Sequence, residues 1–183
     1  MRQNIMLAAF AVWLAAVSWE TCAPAAPATA AGQEHPAVAF KLYQEGEQLR
    51  KQGRYQEAEA KYQQAAALWE KIFGPDHPSV AVALTGLADL CKEQHRYHEA
   101  ESFYQQALRI WEQALGKDNP ATGFGLRSLA RFYEQVGRLA EAEPLCQQAA
   151  AIFAASLPQG HPEIAITQEE CRQLAQRMKT AAD

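Results

Sequence analysis

The segment GRYQEAE, residues 53–59, decides the fold because it recurs twice further along the chain. The second copy reads HRYHEAE (residues 95–101) and the third reads GRLAEAE (residues 137–143). The copies begin at residues 53, 95 and 137, which is a constant period of 42 residues. A period of this length is typical of arrays in which one small structural unit is stacked on the next. The chain is therefore predicted to be a repeat protein.

A second motif keeps the same period and marks the start of each repeat. A short polar turn ends in a proline, and proline suits the first position of a helix, where its missing N–H costs no hydrogen bond. The chain thus holds three full repeats and a fourth half-repeat. The four dipeptides are His35-Pro36, His77-Pro78, Asn119-Pro120 and His161-Pro162.

Within each repeat, apolar residues recur at the spacing of an α-helix, as Val80, Leu84 and Leu87 do. Each repeat is therefore predicted to contain two helices. The first helix runs from the proline to about residue 52, 94 or 136, where a left-handed residue suits its end. These end residues are Gly53, His95 and Gly137. The second helices are predicted to begin near Tyr55, Tyr97 and Leu139.

Small residues recur where the two helices of a repeat must approach closely, as Gly46, Ala88 and Ala130 do. With the 42-residue period, the "GxDHP" linkers and the "GRYxEAE" corners, this pattern resembles the tetratricopeptide repeat, specifically its kinesin-light-chain type. The resemblance covers residues 35 to about 178. It implies an all-α fold, an α-solenoid of three helix pairs plus a C-terminal capping helix, wound as a right-handed superhelix.

The resemblance also sets the domain boundaries. A repeat domain over residues 36–180 follows a short linker at 31–35. Glu45 stands where the later repeats have Leu87 and Leu129, so the first helix is expected to be a solvent-facing end. The repeats are predicted at about 36–77, 78–119 and 120–161, with a capping helix at 162–180.

Residues 1–30 have the form of a secretory signal peptide. Arg2 precedes an apolar run at residues 5–19, and small residues at 28–30 suit cleavage after Ala30, or else near Ala25. Lipidation of Cys22 and an uncleaved membrane anchor are the alternatives. We therefore expect export to a bacterial periplasm or secretion, with a membrane-anchored protein of the cell envelope as the alternative.

The charge and motifs of the chain exclude several function classes. Lysine and arginine number 17 against 21 acidic residues, and no basic run suits nucleic acid. We find no nucleophile elbow, phosphate loop or zinc motif, so no enzyme activity, catalytic residue, cofactor or metal is expected. The histidines of the linkers lie one per repeat, too far apart to share one metal ion. Three glutamates are interpreted as helix-start residues rather than catalytic acids, namely Glu57, Glu99 and Glu141.

The resemblance implies that the first helices line a concave wall where a protein or peptide partner binds. We call the exposed side of these helices the first-helix wall. Four of its cations could grip a partner's carboxylates and two of its aromatic residues could supply apolar anchors, although a merely solvated helix face is the alternative interpretation. The predicted binding residues are Tyr43, Glu47, Arg50, Thr85, Asp89, Lys92, Phe124, Arg127, Arg131 and Glu134.

Three cysteines remain if Cys22 leaves with the signal peptide. Cys91, Cys146 and Cys171 fall on buried positions of the repeat and are interpreted as small core residues. A disulfide between Cys146 and Cys171 is the alternative, because their helices should pack together.

The sequence thus predicts an exported, non-enzymatic scaffold or adaptor that binds a protein or peptide partner. The alternatives are a self-assembling structural repeat protein, which would be a homo-oligomer, and a regulatory subunit of a cell-envelope enzyme complex. Membrane contact would arise only through an uncleaved signal or a lipidated Cys22. Reversing the charge of Arg127 and Arg131 is expected to abolish partner capture without lowering the melting temperature.

Overall fold

A computed structural model describes residues 35–182, and side chains as far as residue 180. The predicted signal peptide, Cys22 and linker residues 31–34 lie outside the described residues. Within the described range the chain forms seven α-helices and no strand. None of these helices is both long enough and apolar enough to cross a membrane.

The helices alternate between a first and a second helix of each repeat, and each packs against the next along the chain. This arrangement confirms the predicted all-α solenoid of helix pairs. The first helix of each repeat, and the last helix, begin at the proline of a linker, where the sequence predicts a helix start. The helices are α1 (Pro36–Lys51), α2 (Tyr55–Phe73), α3 (Pro78–Glu93), α4 (Tyr97–Leu115), α5 (Pro120–Gln135), α6 (Leu139–Ser156) and α7 (Pro162–Ala182).

The end of each first helix is closed by a left-handed residue. Gly53, His95 and Gly137 have φ angles of 74°, 61° and 81°. In the first repeat, the N–H of Arg54 donates to the carbonyl of Leu49 at 3.0 Å, and matching bonds close the other two corners. This is the Schellman closure, in which a left-handed residue redirects the chain and satisfies helix-end carbonyls. The predicted helix ends are therefore confirmed.

The residue before each proline caps the helix that follows. His77 Nδ1 accepts from the backbone N–H of Ser79 at 3.2 Å, and Asn119 Oδ1 accepts from that of Ala121 at 2.9 Å. His35 and His161 make the same bond. The linker histidines are therefore helix N-caps, a role in which asparagine can replace histidine because both offer an acceptor.

Loss of this cap gives a testable prediction. Replacing His77 with alanine is expected to lower the free energy of unfolding by about 1 kcal/mol, because the N–H of Ser79 loses its acceptor. His77→Asn is the matched control and should retain most of the stability, since Asn119 fills the same position. Urea denaturation of both variants measures the difference. Equal losses would instead assign the effect to the stacking of His77 on Phe73, whose ring centroid lies 4.2 Å away.

Large aromatic side chains fill the space between helices. The ring of Tyr62 is fully buried, and a Cβ added at Gly46 or Gly86 would approach its atoms to 2.9 or 2.8 Å. These two glycines therefore let α1 and α3 approach this ring closely. Trp69 and Trp111 occupy matching core positions in the first two repeats.

Arginines at the corners tie neighbouring repeats together. Arg96, the residue before α4, bonds to Glu99 in the first turn of that helix and to Glu59 on α2 at 2.9 Å. Arg138 bonds in the same way to Glu141 and to Glu101 on α4 at 2.7 Å. The glutamates predicted at the helix starts are thus also partners of the corner arginines.

Candidate functional site

The first-helix wall brings the predicted binding residues onto one continuous surface. All ten lie on α1, α3 or α5, and none of them is buried. Ion pairs join α1 to α3 and α5 to α7 along this surface, so successive first helices are neighbours. The wall therefore has a fixed pattern of side chains that can be followed from repeat to repeat.

In the first repeat, the wall carries a hydrogen-bonded chain of charges. The hydroxyl of Tyr62 donates to Glu47 at 2.5 Å, and Arg50 bonds to the same carboxylate at 3.0 Å. Arg50 also reaches Glu93 on α3. Burial, with a smaller contribution from the carboxylate of Glu47, raises the pKa of nearby Tyr43 to about 12. Tyr43 is therefore a neutral, half-buried side chain at neutral pH.

The second repeat has the same arrangement of tyrosine, carboxylate and cation but lacks an ion pair to the next first helix. The hydroxyl of Tyr104 donates to Asp89 at 2.5 Å, and Lys92 pairs with Asp89 at 2.6 Å. Gln135 stands on α5 where Glu93 stands on α3. Among the described residues, no ion pair joins α3 to α5.

The third repeat reverses the charges of the pattern. Arg131 and Glu134 stand where the first repeat has Glu47 and Arg50. Each pairs with α7, Arg131 with Glu170 and Glu134 with Arg177. Charges of both signs are thus paired with each other in all three repeats, rather than concentrated in one sign.

Arg127 is held more tightly than any of the other predicted cations. It pairs with Glu163 and donates to Thr167 at 3.2 Å, both on α7, and its side chain is only 12% exposed. Its guanidinium also lies 5.2 Å from the ring centroid of Phe124 and 5.6 Å from that of Phe153. Arg127 is therefore part of the packing between α5 and α7. These contacts change the expectation for its reversal: we now predict that it lowers the melting temperature.

Every cation predicted to grip a partner already has a carboxylate of this chain beside it. Arg50 and Lys92 pair as described in repeats one and two, and Arg127 and Arg131 pair with α7. The sequence shows the charges but not these pairings. Binding of a partner's carboxylate would have to exchange one ion pair for another, and the role of these residues in binding stays a prediction.

The cap helix is fastened by a disulfide. Cys146 on α6 and Cys171 on α7 are bonded, with their Cα atoms 5.6 Å apart. Cys146 stands where the earlier repeats have Tyr62 and Tyr104. Cys91 is the free cysteine of the described residues, and burial raises its pKa to about 11, so its thiol stays protonated and unreactive.

A row of apolar side chains lies exposed on the same wall. Phe40, Phe124 and Ile166 are 52%, 38% and 44% exposed, and Val82 between them is half-buried. All four occupy the same position of their repeats, 42 residues apart. The sequence interpretation missed Ile166, although extending the period into the capping helix would have found it. We call these four residues the apolar row.

The described residues group no three histidine, cysteine, aspartate or glutamate side chains in a way that could hold a metal ion. The wall instead combines exposed apolar contacts with paired charges on a rigid helical frame. Such a surface can bind another chain.

Comparisons with known proteins agree with this description. A family model described as "Tetratricopeptide repeat" matches residues 37–113 and 92–155. One similar structure is that of the nearly identical TPR-like repeats of a Podosopora anserina protein described as a kinesin light chain. Its sequence is 27% identical to that of this chain, and the two structures match with a TM-score of 0.69 over 78% of this chain and 68% of that chain. No curated protein is similar enough to count as a match.

Two more distant structures share the fold. BtubC (BKLC) from P. vanneervenii is 15% identical with a TM-score of 0.63, covering 79% of this chain and 66% of that one. The first TPR of Spaghetti (RPAP3), bound to the HSP90 peptide SRMEEVD, is 18% identical with a TM-score of 0.55. The match covers 79% of this chain and 96% of that one.

Proposed function

Because the chain belongs to the tetratricopeptide repeat family, whose fold supports protein interaction, we propose that it is a non-enzymatic scaffold that binds a segment of a partner protein on the first-helix wall. The observation that carries the proposal is the apolar row. Three of its side chains are exposed by 38% or more, although water disfavours such exposure. Exposed apolar residues that recur along one side of a folded protein can mark a surface that another molecule covers.

The binding mode has a precedent among the similar folds. The first TPR of Spaghetti is bound to an HSP90 peptide. By analogy, the wall of this chain would take a peptide segment, with Tyr43 and Phe124 as apolar contacts and the paired charges around them selecting its sequence. Charges already held in place by their own partners cost little ordering entropy when a ligand arrives.

We further propose that the scaffold acts outside the cytoplasm, in a bacterial periplasm or as a secreted protein. The apolar N-terminal segment supports export, and so does the bond between Cys146 and Cys171, because disulfides persist in oxidising compartments. A membrane-anchored protein of the cell envelope is the alternative location.

Site-specific photocrosslinking in the native host tests both proposals. A photoreactive residue at Thr85 on α3 of the wall is expected to capture one envelope or secreted partner. The same residue at Gln106, which is exposed on the second helix α4, is the matched control and should capture none. Equal capture at both positions would contradict binding at the wall, and capture of cytoplasmic proteins alone would contradict export.

Continued end-to-end stacking is the less supported alternative. The outer side of α1 carries Lys41, Glu45 and Gln48, and Glu45 pairs with Lys61 at 2.6 Å. At the equivalent positions α3 carries Ala83, Leu87 and Leu90, which are buried against α2 or its neighbours. A polar terminal helix does not favour a further repeat stacking upon it.

A further inference from the structure

The joint between a second helix and the next first helix changes its chemistry at the C-terminal end of the solenoid. In the first two repeats, a buried tyrosine of the second helix shares a core cluster with a buried leucine of the next first helix. These pairs are Tyr62 with Leu87 and Tyr104 with Leu129. Cysteine occupies both positions in the third repeat, where Cys146 and Cys171 are bonded. A covalent bond therefore replaces the tyrosine–leucine contact at this joint.

The corner tie of the earlier repeats is also absent at α7. Arg96 and Arg138 each bond to a glutamate of the preceding second helix. Thr180 stands at the next position of this series, 42 residues beyond Arg138. Among the described residues, Glu143 has no basic partner and accepts a hydrogen bond from Gln147 of its own helix at 3.1 Å. The disulfide is therefore present where two other ties between repeats are missing.

Apart from the disulfide, few buried contacts hold α7. Thr167 and Leu174 are its buried side chains among those described, whereas α3 and α5, which pack on both sides, bury eight residues each. Two of its three ion pairs involve arginines that are more than half exposed, so they add little to stability. The pair of Arg127 and Glu163 is better buried. Because each unit of a repeat array contacts only its neighbours, such a terminal helix can open while the others stay folded.

We propose that the bond between Cys146 and Cys171 is a redox latch, and that its reduction by a dithiol releases α7 from repeats that remain folded. One thiol of the reductant attacks a sulfur of the bond and forms a mixed disulfide, and its second thiol then displaces that cysteine. Two electrons and two protons pass to the two cysteine sulfurs, and the dithiol becomes a disulfide. Cys171 is half-buried whereas Cys146 is buried, so Cys171 is the partner that a thiol in solvent can approach.

Reduction leaves two small thiol groups at a joint that buries a tyrosine and a leucine in the first two repeats. Two thiols have less apolar surface than those side chains, so they cannot supply equivalent packing. Departure of α7 uncovers Ile152 and Phe153 of α6, which cluster with Ile164 of α7, and this exposure opposes release. While the bond is intact, α7 cannot leave this cluster. Once the bond is reduced, only the few contacts described above oppose its departure.

Release of α7 shortens the first-helix wall, and this regulation rests on the proposed function. Ile166, the last member of the apolar row, lies on α7. So do the carboxylates of Glu163 and Glu170, which pair with Arg127 and Arg131 of α5. The oxidised chain therefore offers four first helices to a partner, and the reduced chain offers three. The thiol state of the compartment would thereby set the length of the binding surface.

Hydrogen–deuterium exchange of the exported chain, with and without dithiothreitol, tests the latch. Reductant is expected to accelerate exchange in residues 162–180 at least about tenfold more than in α4, because α7 then opens on its own. A variant with both Cys146→Ser and Cys171→Ser should show fast exchange in α7 without reductant and no response to it. Cys91→Ala is the matched control and should respond as the natural chain does, since Cys91 is not bonded.

Exchange in α7 that does not respond to dithiothreitol would overturn the latch. Equal acceleration in α7 and α4 would also overturn it, because the bond would then stabilise the whole solenoid rather than fasten one helix. The effect on binding is measured by photocrosslinking at Thr85 in the native host, where Cys171→Ser should capture several-fold less of the partner than the natural chain. Unchanged capture would reject regulation of the wall. Absence of capture by both chains would count against the proposed function, while hydrogen exchange would still decide the latch.

Discussion

Replacing Arg127 with glutamate is expected to lower the free energy of unfolding by about 3 kcal/mol. The side chains of Arg127 and Glu163 are only 12% and 25% exposed, so removal of the arginine leaves a largely buried carboxylate without its counter-ion. The new carboxylate would stand beside Glu163, and the ring of Phe124 would lose its cationic neighbour. We expect α7 to dock poorly as a result.

Arg131→Glu is the matched control for this change. Arg131 lies on the same helix and also pairs with a glutamate of α7, but its side chain is 53% exposed. Exposed ion pairs contribute little to stability, so we expect the free energy of unfolding to fall by less than about 1 kcal/mol. Urea denaturation followed by circular dichroism measures both variants. Small losses of equal size would mean that Arg127 does not hold α7, contrary to the contacts described above.

Replacing Cys171 with serine is the second change expected to have a large effect. Loss of the bond to Cys146, which closes a loop with a sequence separation of 25, should lower the free energy of unfolding by about 3 kcal/mol. The cause is the larger conformational freedom that the unfolded chain regains. The apolar contacts of α7 that remain come from Leu174, which is buried, and from Ile164, which is partly buried.

Reductant provides the control for this prediction. The natural chain treated with dithiothreitol should lose about as much stability in urea as Cys171→Ser does, and the variant itself should not respond to reductant. Cys91 is buried and free, so it should contribute nothing to the difference. A natural chain that keeps its stability in reductant would show that packing and ion pairs alone fasten α7.

The helix pattern could be predicted closely from the sequence because local chemistry fixes it. Proline at the first position, a left-handed residue at the end and helical apolar spacing all act within a few residues of chain. The first helices are predicted to end near residues 52, 94 and 136 and end at Lys51, Glu93 and Gln135. Tertiary contacts are not needed to place these boundaries.

The pairing of charges could not be predicted in the same way. Arg127 and Arg131 are four residues apart on one helix, yet one is enclosed by α7 and the other projects into solvent. That difference depends on how α7 packs and on which rotamer each side chain adopts. The sequence therefore places these residues on the right surface but does not separate a packing residue from an available one.

Two other features required the fold before they could be interpreted. The capping role of His77 depends on Nδ1 facing the N–H of Ser79, which a histidine in a linker does not reveal by itself. The bond between Cys146 and Cys171 remained one of two interpretations until the facing positions on α6 and α7 were known. Ile166 is the exception, because the repeat period alone was sufficient to find it.

The fastening of α7 gives the solenoid a mechanical polarity. At the C-terminal end, a covalent bond and three arginine–glutamate pairs join the last helix to its neighbours. At the opposite end, α1 is held by two ion pairs, Arg50 with Glu93 and Glu45 with Lys61, by a hydrogen bond from Tyr62 and by packing, and no disulfide joins it to the other described residues. A pulling force applied at the N-terminal end would peel the repeats away one after another, whereas a force applied at the C-terminal end would reach the disulfide first.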